Sequence, residues 1–74
     1  MTITIKLFAT LQKGRFDIET REIAPDTPIQ SIIEDLGISK EEAAIIFVNH
    51  KHAPLDYQLK EGDILAIFPP IGGG

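Results

Sequence analysis

Apolar and polar residues alternate with period two from Thr2 to Phe8. Ile3, Ile5 and Leu7 fall on one face, and Thr4, Lys6 and Phe8 on the other. The run is rich in β-branched residues and predicts a half-buried strand. Phe8 is its odd member, an aromatic on the polar side. Ala9 to Gly14 reads as a loop or ragged strand end, with Gly14 at a turn. Residues 15–24 predict a second strand, with Phe16, Ile18 and Ile23 as its apolar members and Asp17, Glu19, Arg21 and Glu22 outside. The imperfect period predicts a bulge or register change near Thr20. The two runs follow each other closely and read as a hairpin.

Pro25-Asp26-Thr27-Pro28 is punctuation: Thr27 suits an N-cap and Pro28 the first helical position. Ile29, Ile32, Ile33 and Leu36 then recur at i, i+3, i+4 and i+7, with Gln30, Ser31, Glu34 and Asp35 opposite. Gly37 is placed to close this helix of about three turns in a left-handed conformation. So short a helix is unstable alone, and its isoleucine stripe must lie on a sheet. Ser39-Lys40-Glu41-Glu42 offers a cap and an acidic first turn for one short helical turn. Residues 45–49 make a third strand and Asn49 to Lys51 a tight turn. His52-Ala53-Pro54-Leu55 makes a short edge strand, since Pro54 cannot sit in a central one. Tyr57 anchors a loop that turns at Glu61-Gly62-Asp63. Residues 63–68 run without polar interruption, as a central strand covered on both sides would. The order β-β-α-β-β-β predicts an α+β roll of the β-grasp kind, a mixed sheet of four to five strands packed on one main helix. The first and last strands lie side by side in its centre.

The length of 74 residues allows a single domain, 1–74, and 43% hydrophobic content suffices for a core. There is no cysteine, which excludes disulfides, a thiolate nucleophile and a zinc-thiolate site. The net charge of −4 argues against nucleic acid as a partner. No apolar run is long enough to span a bilayer and the N-terminus lacks the order of a signal peptide, so the expected location is cytoplasmic. His50-Lys51-His52 places two histidines two apart, but no third ligand is evident, and a solvated turn is expected with no metal. Arg15 and Lys60 read as solvated charges, with pairing to an acidic partner the less favoured alternative. Asp56, Glu61 and Asp63 read as turn residues and not as a catalytic pair.

The chemistry points to the end of the sequence, Pro69-Pro70-Ile71-Gly72-Gly73-Gly74. Terminal glycines bury nothing and lose the most freedom on ordering. Two prolines before them cannot donate to a ladder, so they end the strand and stiffen the base of an arm. Residues 69–74 therefore read as a flexible tail, which is either an arm that threads a carboxylate into another protein's active site or simply a frayed end. Phe8, Phe47 and Phe68 lie on the faces opposite Leu7, Val48 and Ile67. With Ile64 and Ala66 they form a candidate docking patch at the base of the tail.

Leu7-Phe8-Ala9, Val48-Asn49, Leu59-Lys60-Glu61-Gly62-Asp63 and Phe68-Pro69-Pro70-Ile71-Gly72-Gly73-Gly74 together resemble the small sulfur-carrier subunit of molybdopterin synthase. The resemblance covers essentially the whole chain in element order, and the double proline followed by terminal glycines is its most specific part. The thiamine sulfur carrier is a relative with a Gly-Gly end that usually lacks the double proline. Gly72 is a departure, since a small non-glycine residue is more usual there, and His52 is another, within the family's apolar patch. The resemblance implies a carrier protein, not an enzyme, that binds no cofactor itself. The Gly74 carboxylate would be adenylylated by a ubiquitin-activating type of adenylyltransferase using ATP and magnesium. A desulfurase or rhodanese would supply the sulfur, and a large synthase subunit would receive the thiocarboxylate. Gly72 and Gly73 would thread a narrow channel, while Phe8, Phe47, Ile64, Ala66, Phe68, Pro69 and Pro70 dock. Another sulfur pathway such as thiamine, a ubiquitin-like interaction module and a lysine-conjugated modifier are the alternatives.

Overall fold

The computed structural model describes residues 1–70. The expectations for Gly72, Gly73 and Gly74 lie outside the described residues. Five strands form one mixed sheet: β1 (Thr2–Leu7), β2 (Ile18–Glu22), β3 (Ile45–Val48), β4 (Lys51–His52) and β5 (Ile64–Phe68), in the order β2-β1-β5-β3-β4. β1 and β5 are parallel neighbours in the centre, and the other pairs are antiparallel. One helix, α1 (Ile29–Asp35), covers one face. The β-grasp architecture read from the sequence is the one observed.

The core follows from the alternation. Ile3, Ile5 and Leu7 of β1 and Leu65 and Ile67 of β5 are buried on one face, against Ile29, Ile32 and Ile33 of α1. Leu11, Ile38 and Leu59 complete it from outside the regular elements. Leu11 arrives on a short 3₁₀ turn, Ala9–Gln12, where the sequence suggested only a loop.

α1 spans two turns, one fewer than expected, because its register starts later. Pro28 is the N-cap, and the Thr27 hydroxyl donates to the Ala24 carbonyl (2.6 Å) instead of capping. The first helical N–H groups are satisfied by loop backbone: Ile29 donates to Tyr57 O (3.0 Å) and Gln30 to Leu55 O (2.9 Å). Gly37 ends the helix as expected, at φ +71°. Its N–H donates to Glu34 O (3.0 Å) and that of Ile38 to Ile33 O (3.1 Å). Ser39 and Glu42 form a reciprocal capping pair. The Glu42 N–H donates to the Ser39 hydroxyl and the Ser39 N–H to the Glu42 carboxylate, both at 3.1 Å, on a turn that does not become a helix.

β2 corrects the sequence reading most. Its pairing with β1 is regular from Glu22 opposite Thr2 to Ile18 opposite Lys6, with no bulge at Thr20. That register turns Glu19 and Arg21 toward the helix side, where Arg21 Nε meets Glu19 at 2.8 Å and Arg21 also reaches Asp35 of α1 at 4.0 Å. Ile18 is turned to the opposite face and is 58% exposed. Phe16 packs on the core from ahead of the strand. β4 also differs: it is Lys51–His52 and stops before Pro54.

Arg15 is not a solvated charge. Its guanidinium donates to Leu36 O (3.0 Å), Leu11 O (3.1 Å) and Gly37 O (3.2 Å), tying the end of α1 to the 3₁₀ turn. The Lys60 ammonium stands 5.0 Å from the centre of the Tyr57 ring. Asp63 is a turn residue, but a buried one. Its carboxylate accepts from Lys60 N (2.8 Å), Asn49 Nδ2 (2.9 Å) and the Tyr57 hydroxyl (3.4 Å). Asn49 in turn accepts from Ile64 N (2.9 Å). The Val48-Asn49 and Leu59–Asp63 motifs thus interlock where β5 begins, and so fix the direction in which β5 leaves the fold.

Candidate functional site

The face of the sheet turned away from α1 holds the candidate site. β5 was expected to be covered on both sides. Leu65 and Ile67 are fully buried, but Ile64, Ala66 and Phe68 on its other side remain half-buried. No described element packs across them.

Three aromatic rings gather there, at the end of β5. The parallel pairing of Leu7 with Ile67 sets Phe8 beside Phe68, and the rings stack with centroids 4.2 Å apart and planes 9° from parallel. Phe47 comes from β3 and meets Phe68 edge-on at 5.7 Å. The edge-on contact is a favourable aromatic geometry, and the rings, all half-buried, partly shield one another. Phe8, Phe47, Phe68, Ile64 and Ala66, all expected in the patch, line one depression of about 250 Å³ together with Lys6 and His50. Pro69, half-buried, and Pro70, exposed, follow Phe68 directly. His52 stands opposite Phe47 in the ladder, with ring centroids 4.5 Å apart.

The sequence reading did not place Lys6 in the site. Its signal was present, since Lys6 shares a face with Phe8 by simple alternation. His50 was read only as part of a turn. The turn is real, with Asn49 and His50 both at positive φ, and it carries His50 to the rim of the depression.

The depression is lined, among the described residues, by Lys6, Phe8, Phe47, His50, Ile64, Ala66 and Phe68, with no carboxylate, thiol or hydroxyl side chain. Among the described residues no group of three or more His, Cys, Asp or Glu side chains could hold a metal ion. Two carboxylates whose pKa is lowered lie away from this face. Glu42 is lowered by hydrogen bonds from the Ser39 N–H and hydroxyl, and Glu22 by a hydrogen bond from the Thr2 hydroxyl and by the N-terminal ammonium. The face's apolar, aromatic composition with a few polar groups at the edge is the composition that protein docking surfaces have in general. Among the described residues no helix is long and apolar enough to cross a membrane.

A mixed sheet with parallel central strands, packed on one helix, is the ubiquitin-like β-grasp fold. Solved structures share that fold. SAMP1 from Haloferax volcanii is 22% identical over all of both chains, with a TM-score of 0.76. A protein provisionally described as molybdopterin converting factor subunit 1, from Pyrococcus furiosus, is 24% identical over 96% of this chain and 99% of its own, with a TM-score of 0.77. A complex of subunits 1 and 2 of the molybdopterin-converting factor from Helicobacter pylori contains a chain 18% identical over all of both, with a TM-score of 0.67. No curated protein matches in sequence. The chain belongs to the ThiS family, whose model matches residues 5–74.

Proposed function

We propose that this chain is a sulfur carrier whose reactive group is the Gly74 carboxylate, and that it serves molybdopterin synthesis. A carboxylate is a poor electrophile, so the adenylyltransferase partner first joins it to AMP from ATP with magnesium, releasing pyrophosphate. A persulfide on the desulfurase or rhodanese attacks the acyl carbon, forming a C–S bond as AMP leaves. A thiol then cleaves the resulting acyl disulfide, and the thiocarboxylate is released. The carrier brings it to a precursor held by the large synthase subunit. In this reading Gly72 and Gly73 thread the partner's channel, where a Cβ would clash. Phe8, Phe47, Ile64, Ala66, Phe68, Pro69 and Pro70 dock.

The observation that carries the reading is the aromatic cluster at the end of β5, where the chain leaves the sheet for its glycines. The family match through residue 74 supports the carrier chemistry. The two-subunit Helicobacter pylori complex supports a larger partner. Thiamine or another sulfur pathway would use the same activation.

Appending residues after Gly74 tests the proposal. Sulfur transfer through the activating partner should be lost while the fold is kept. Undiminished sulfur transfer by the extended chain would rule out the Gly74 carboxylate as the reactive group. The likeness to a small archaeal modifier protein favours a second reading, conjugation to lysines, which adducts between this chain and target proteins would reveal.

A further inference from the structure

We propose that the docking face is wider than the aromatic cluster. It crosses Lys6 to Ile18 on the edge strand, and fits a protein surface that sets a carboxylate between two apolar projections. The inference rests on the docking role proposed above and adds two residues to it.

The ladder carries the argument. Ile18 pairs with Lys6, Lys6 with Ala66, Ala66 with Phe47 and Phe47 with His52, so one row of side chains crosses all five strands on the uncovered face. A second depression, of about 240 Å³, lies on the β2 side of Lys6 and Phe8 and ends at Ile18. The two depressions share Lys6 and Phe8 as their common wall.

Ile18 belongs neither to the core nor to the side chains packed on it, so folding does not account for it. It is the one large hydrophobic residue that is well exposed among the described residues. A lone exposed isoleucine means little by itself. This one is the cross-strand neighbour of Lys6, the only ammonium in the row.

Lys6 makes no ion pair among the described residues. The carboxylate in the second depression, Asp17, accepts from the N–H of Ile18 (2.8 Å) and is held by its own strand. In the first depression the titratable side chains are Lys6 and His50, with no carboxylate. The chain carries a net charge of −4, so this cationic spot runs against its overall sign. A partner carboxylate opposite Lys6 would speed association and fix register, and apolar projections would fill the hollows on either side.

The test measures binding to the adenylyltransferase encoded in the same genome, by stopped-flow association and calorimetry. Lys6→Met, Lys6→Glu, Ile18→Ser and Phe68→Ala are compared with the parent chain after their melting curves confirm folding. Lys6→Glu should slow association about tenfold at low salt, with the difference shrinking at high salt. Lys6→Met should flatten the salt dependence. Ile18→Ser should raise Kd about tenfold, mainly through faster dissociation. If Phe68→Ala weakens binding while the Lys6 and Ile18 variants bind like the parent, the wider face is wrong and the aromatic docking site stands. If Phe68→Ala also binds like the parent, the docking role falls and this inference falls with it.

Discussion

Removing the Arg15 guanidinium should cost more than any other change of a surface charge. Arg15 donates to three carbonyls, of Leu36, Gly37 and Leu11, at 3.0, 3.2 and 3.1 Å. Two of these terminate α1, where intrahelical donors are absent and a cation is favoured. Hydrogen bonds from a charged donor contribute about 1.5–3 kcal/mol each when desolvated. The Gly37 contact is exposed and the other two only partly buried. With that discount Arg15→Ala should lose about 2–3 kcal/mol in total. For a domain of this size that lowers Tm by about 10–20 °C. Arg15→Lys keeps the charge but cannot reach three diverging carbonyls, so it should recover less than half of the loss. Urea unfolding followed by circular dichroism measures both variants. A loss below about 0.5 kcal/mol for Arg15→Ala, the usual range of a surface substitution, would refute the latch.

Gly37→Ala should destabilise by about 1 kcal/mol from backbone strain alone, because φ is +71° and nothing lies within 4 Å of the added Cβ; chemical unfolding checks it. The Glu42 carboxyl titrates below its ordinary value, chiefly through the Ser39 N–H and then the Ser39 hydroxyl. A depressed folded-state value stabilises the fold above the unfolded value and is lost as pH falls through the folded one. Ser39→Ala should therefore move the Glu42 titration, followed by NMR, only part of the way back up, since the backbone donor remains. Gly73→Val should leave the melting curve unchanged and abolish sulfur transfer in an assay with the activating partner.

Most of the fold was legible because its core elements bury one face each. Ile3, Ile5 and Leu7 announced β1, and Ile29, Ile32 and Ile33 announced α1. The left-handed stop at Gly37 was readable from residue type. β2 was misread because an edge strand takes its register from its neighbour. The ladder with β1 turned Ile18 outward and brought Glu19 and Arg21 over the helix side as an ion pair. Leu11, Ile38 and Leu59 reach the core from irregular segments, where no periodicity marks them. Of the site, the phenylalanines stood out as apolar residues on polar faces. Lys6 did not, because a lysine on a polar face is ordinary until Ala66 and Ile18 are found on either side of it. Arg15 was taken for a solvated charge, since nothing in a sequence shows a guanidinium meeting carbonyls far along the chain.

The central claim is that the end of this chain carries sulfur, and the intact mass of the protein tests it most directly. The chain would be incubated with its adenylyltransferase, ATP, magnesium and a persulfide donor, and weighed with a control lacking ATP. The account predicts an ATP-dependent gain equal to one oxygen replaced by sulfur, located in the last peptide and lost in a variant without Gly74. A mass that stays at the plain carboxylate under turnover conditions with an active partner would contradict it.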